Sequence, residues 1–115
     1  MAVSIGGEGF PNVEPGDDVT SIDAERIARE LHAVIGRDAC VSAVVHRQDG
    51  LILLYNDPAS GELIGKHFRC ALAGYAGQAP AATAFILSLF GFGAKGNLYV
   101  QVSRGGEMAY YSFTK

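Results

Sequence analysis

Polar and apolar positions change period several times along this chain, and each change marks an element. Residues 1–19 have no apolar period; Gly6, Gly7, Gly9, Pro11, Pro15, Gly16, Asp17 and Asp18 are residues of turns and irregular chain. They predict a flexible acidic leader over 1–19, ordered at most locally around Ile5 and Phe10, followed by a single domain over 20–115. Thr20 or Ser21 then offers an N-cap, with Asp23 in the first turn where the helix dipole favours an acid. Ile27, Leu31, Val34 and Ile35 follow the i, i+4, i+7, i+8 spacing of one buried stripe, Glu25 and Arg29 pair one turn apart, and Gly36 supplies a stop. The spacing predicts an amphipathic helix over 21–35.

The period then shortens. Residues 40–46 and 51–55 are rich in branched apolar side chains and flank Gln48-Asp49-Gly50, which reads as a hairpin. Turn residues fill 56–61, and a third strand is expected over 62–70, with Gly65, Lys66 and His67 suggesting a bulge or an edge. A Gly-rich connection, Gly74-Tyr75-Ala76-Gly77-Gln78-Ala79-Pro80, leads into an almost wholly apolar stretch over 81–90. Proline suits a first helical turn, so a helix buried on most sides is expected there, ended by Gly91, Gly93 and Gly96. Leu98, Val100 and Val102 alternate with Tyr99, Gln101 and Ser103, predicting a strand that turns at residues 104–107 and returns over 108–114 as a second hairpin. The expected order is α-β-β-β-α-β-β. This is an α+β domain with about five antiparallel strands and two helices on one face.

With 49% apolar and 18% charged residues, the chain has the material for a real core. The net charge of -3 argues against a nucleic-acid binder, whose affinity rests on neutralising phosphates. That charge is uneven: residues 1–30 hold seven acids against Arg26 and Arg29, whereas the remainder holds five acids against seven bases. Cys40 and Cys70 both fall in strand-like stretches and read as reduced core thiols, not as a disulfide scaffold. The first residues lack the basic and apolar regions of a signal peptide, and no apolar run reaches the ~18 residues of a membrane span. A cytoplasmic protein without a membrane role is expected.

The segment richest in possible chemistry is the turn before the second helix. The first amides of a helix lack intrahelical partners and, with the positive end of the dipole, attract anions. Gly74 and Gly77 would let a phosphate approach the backbone, the amides from Ala81 onward would hold it, and Tyr75 would stack on a ring. Lys66, Arg69 and Arg104 would supply charge, and Tyr99 a second stacking face. The same glycines also serve simply to carry the chain from a strand into a buried helix, and the stretch is neither a Walker A loop nor a G-x-G-x-x-G fingerprint.

Residues 68–87 resemble the strand, Gly-Tyr-Gly-Gly-x-Gly-Pro turn and apolar helix of small uncharacterised bacterial, archaeal and phage domains. This chain departs from that pattern at Ala76 and Ala79, where the family has glycine. The resemblance implies the local structure and a phage or host-conflict setting, and it assigns no activity.

His32, His46 and His67 have no paired ligand spacing; His46 and His67 would need Cys70 or Asp49 to form a metal site, so no metal or other cofactor is expected. No G-x-S-x-G elbow is present, and the carboxylates Asp38, Asp49, Asp57, Glu62 and Glu107 mostly fall in turns, so no acid/base pair can be nominated. The sequence therefore favours non-catalytic binding of a small anionic metabolite or nucleotide. Second comes a protein-interaction or inhibitor domain acting through Tyr99, Tyr110, Tyr111 and Phe113 of the C-terminal hairpin, whose edge also leaves a homo-oligomer open. An enzyme ranks third.

Overall fold

The computed structural model describes residues 13–104 and 110–115, and the backbone of residues 3–5 and 8–10. Strands β1 (Val3–Ile5) and β2 (Glu8–Phe10) pair antiparallel as a separate two-stranded ribbon. The main sheet contains β3 (Val13–Glu14), β4 (Cys40–His46), β5 (Gly50–Asn56), β6 (Leu63–Phe68) and β7 (Tyr110–Thr114), in the order β3-β6-β5-β4-β7. Helices α1 (Ser21–Ile35), α2 (Gln78–Leu89) and α3 (Lys95–Val102) pack against one face of that sheet. The result is an α+β domain with a mixed sheet and, among the described residues, three helices.

Helix α1 forms where its capping residues and apolar spacing predict. The Thr20 hydroxyl accepts from the Asp23 N–H at 3.1 Å, and the Asp23 carboxylate accepts in return from the Val19 N–H at 3.1 Å. Gly36 closes the helix with φ +79, its N–H donating to the His32 carbonyl. The buried stripe differs from the expected one in a single member. Ala24 and Ala28 are fully buried, Ile27, Leu31 and Ile35 flank them, and Val34 stands 79% exposed. Small residues one turn apart let the helix approach closely, and the seam they set leaves Val34 outside it.

The β4–β5 hairpin closes at Gly50, whose φ of +101 and close approach to the Phe68 carbonyl leave no room for a side chain. Strand alternation sends Ala43, Val45, Leu51, Leu53 and Phe68 into the helix-side core with Ile86, Leu87, Phe90, Leu98 and Val102. Val44 and Ile52 face the other way and meet Val13.

Two elements differ from the sequence reading. Residues expected to form the first strand of a second hairpin are helix α3, so the order after β6 is α-α-β. Leu98 and Val102 are buried and Val100 is 52% exposed. Positions four apart satisfy a helical face as well as an alternating strand, and the exposed Val100 shows which period the chain follows. The turn expected at residues 104–107 lies mostly outside the described residues. The sheet is also not wholly antiparallel, because β3 runs parallel to β6, with Val13 opposite Gly65 and Glu14 opposite Lys66.

That pairing joins part of the expected leader to the domain. Asp18 is 1% exposed and accepts hydrogen bonds from the Arg69 N–H at 3.0 Å and the Cys70 N–H at 2.7 Å. Cys70 accordingly lies in the turn after β6, half-buried, and not within a strand. No described helix is long and apolar enough to cross a membrane.

Candidate functional site

Strand register gathers the candidate residues at one end of the sheet. His46 is opposite both Gly50 and Tyr110, and Leu51 is opposite Phe68, so the β4–β5 turn, the exit of β6 and the start of β7 share that end. The loop after β6 returns to it. Gly74 has φ +93 and donates its N–H to the Val102 carbonyl at 2.7 Å, which fixes the Gly-rich turn to the last residue of α3.

The bare Cα of Gly74 makes room for Arg47. The stem and guanidinium of Arg47 lie across it, the Arg47 Cβ falling 3.3 Å from where a Gly74 Cβ would stand. Any larger residue at 74 would strain the backbone and displace the arginine. Arg69, one residue past β6, and Arg104, two past α3, are exposed at this same end.

Helix α2 begins two residues earlier than the sequence suggests, which changes its donor set. Pro80 is the third helical residue and has no N–H, and the Ala81 N–H is bonded to the Gly77 carbonyl at 3.1 Å. The amides without an intrahelical acceptor are therefore those of Gln78 and Ala79, not those from Ala81 onward. No side chain caps this helix start. The Gly77 N–H is occupied: it donates to the Tyr99 hydroxyl at 3.2 Å. Tyr99 thus braces the turn from α3 and is half-buried, not a stacking face on a sheet. Tyr75 remains 45% exposed, with its ring against Gly77. Beside this helix start, Gln78 and Ala81 join Ser21, Ile22 and Glu25 of α1 around a shallow depression of about 250 Å³.

Lys66 lies apart from this cluster. It pairs with Glu14 at 3.1 Å from the middle of β6 and lines a groove of about 440 Å³ beneath α1, along Ile27, Leu31 and Val34. Of the residues nominated from sequence, Gly74, Tyr75, Gly77, Ala81 and Tyr99 come together, Arg69 and Arg104 share their end of the sheet, and Lys66 does not. Arg47 was missed. Its signal was topological: a meander of three strands returns the residue after β4 to the end from which the chain leaves β6.

The histidines at this end are bound into the hairpin turn. His46 Nδ1 accepts from the Gln48 and Asp49 N–H groups at 3.1 and 3.2 Å, and His67 Nε2 lies 2.6 Å from the Asp49 carbonyl, to which it donates. Among the described residues no three His, Cys, Asp or Glu side chains gather as a metal site. Burial pushes the Cys40 thiol up to about 11, and burial with the neighbouring Asp18 raises Cys70. Both thiols are held protonated and weakly nucleophilic at neutral pH.

Compared with known proteins, the chain matches no family model, no curated protein and no solved structure.

Proposed function

We propose that this chain is a non-catalytic binding module for a small anionic, nucleotide-like ligand, held at the turn from Gly74 to Ala79. The observation that carries the reading is Arg47 lying across Gly74, in the turn that leads into a helix start without a side-chain cap. A guanidinium fixed over the Gly-rich turn, and the two amides that helix geometry leaves without an intrahelical acceptor, add positive character to the turn, and the helix dipole adds to their field. Arg69 and Arg104 contribute further positive charge from the same end of the sheet. Tyr75 offers an exposed ring for a base, and Tyr99 holds the loop in shape through Gly77. Holding without turnover fits the protonated thiols and the engaged histidine nitrogens, and sequestration of a signalling nucleotide is a role that suits such a module.

The competing reading, a tyrosine-bearing hairpin used as a protein-binding surface, loses its first strand to α3. Tyr111 is buried, and its hydroxyl donates to the Arg104 carbonyl at 2.8 Å.

Differential scanning fluorimetry against pyrophosphate, nucleoside phosphates and cyclic nucleotides, with uncharged nucleosides as controls, tests the proposal. Ligand at a hundred times its dissociation constant stabilises the native state by about 2.7 kcal/mol, which reads as a rise of several degrees in Tm. Arg47→Ala should abolish that rise and Lys66→Ala should leave it intact. No shift with any anion at millimolar concentration overturns the proposal, as does a shift that survives Arg47→Ala.

A further inference from the structure

The two edges of the main sheet are built differently. At one, β3 is two residues long, is followed by Pro15 and carries the Glu14–Lys66 ion pair. Shortness, proline and charge are the usual devices that stop an edge from pairing. The other edge, β7, has none of them. Its sequence, Tyr110-Tyr111-Ser112-Phe113-Thr114, is uncharged, contains no proline and is strongly β-forming. Its five residues pair with β4 in an unbroken register from Thr114 to Tyr110, without a bulge. No described strand occupies its outer side.

We infer that β7 pairs antiparallel with β7 of a second copy of this chain, about a two-fold axis perpendicular to the sheet at Ser112. The strand is complementary to itself in that register. Ser112 faces its own counterpart, Tyr111 stands opposite Phe113, and Tyr110 stands opposite Thr114. Tyr111 and Phe113 point to the helix side, where both join the core. The pairing therefore makes two symmetric aromatic cross-strand pairs that extend both cores across the junction. Ser112 and Thr114 are exposed in one copy; in the pair Ser112 meets Ser112 and Thr114 meets the half-buried Tyr110. Moving the axis to Tyr111 or Phe113 puts that residue opposite itself and leaves the other aromatic beyond the register. The product is a continuous ten-stranded sheet with all helices on one face, a closed isologous dimer.

Ser112 gives a test that spares the fold, since the residue is exposed and its like-charged variants face each other only across the axis. Sedimentation velocity of the wild type between 1 and 200 µM should show a dimer. Ser112→Lys and Ser112→Glu should each run as monomers with unchanged far-UV circular dichroism, association falling by more than about tenfold, because directly opposed like charges destabilise a strand pair. Mixing the two variants should restore the dimer. A wild type that is monomeric throughout overturns the inference, and so do lysine and glutamate variants that both remain dimeric.

Discussion

Asp18 does more for this molecule than its place among six other early acids suggests. Its carboxylate is buried and receives two backbone N–H groups from the turn after β6, so it ties the chain before α1 to the exit of β6. Removing it takes the acceptor from two partly buried amides, at a cost of roughly 1–3 kcal/mol for each group that water does not reach. Asp18→Ala should lower the free energy of unfolding by about 3 kcal/mol in urea titration, with Asp18→Asn in between because it keeps one acceptor oxygen. An effect below half a kcal/mol would show the contact to be dispensable. Cys40 makes a second residue-level prediction. Its thiol sits near 11 in the fold against an ordinary 9.0, because burial penalises the thiolate more than the Lys115 ammonium favours it. Between those values the unfolded chain releases the proton and the folded chain keeps it, so stability falls as pH rises. The loss should reach roughly 2–3 kcal/mol by about pH 11. The decline should be shallower in Cys40→Ala across pH 9–11 in guanidinium titrations, and equal slopes would argue against it.

Elements with redundant local signals were legible in the sequence. Helix α1 announced itself through Thr20, Asp23 and Gly36, and the β4–β5 hairpin through Asp49-Gly50, because each boundary was chemically marked as well as patterned. Helix α3 was not, since its eight residues lack a capping side chain and Leu98 and Val102 suit either period. Truncation separates the two periods. Leu98→Ala should cost about 2–5 kcal/mol as a core deletion, whereas Val100→Glu should stay within about 0.5 kcal/mol as a surface change. In a strand both would face the core, so a severe Val100→Glu defect by thermal melting would restore the hairpin. Strand β3 was illegible for a different reason: two residues carry no period, and its pairing depends on Gly65 and Lys66, more than fifty positions away. The candidate turn was visible as Gly74 to Pro80. Which side chain would lie over it was not, because Arg47 reaches it only through the register of three strands.

At the scale of the whole molecule, the chemistry and the proposed dimer contact fall on different parts of one sheet. Arginines and the uncapped start of α2 share one end of it, while β7 runs along one side. The helix layer covers a single face, so the opposite face relies on Val44 and Ile52 with Val13 laid against them from the start of the chain. Val13 belongs to a strand of only two residues, and its partner on β6 lies more than fifty positions further along the chain. A contact spanning so many residues carries the entropy of closing a large loop and contributes little until its neighbours are in place. The margin formed by β3 has the fewest paired residues in the sheet, two, and leans on the Asp18 anchor beside it, which makes the early residues the natural point for anything that loosens this domain without unfolding it.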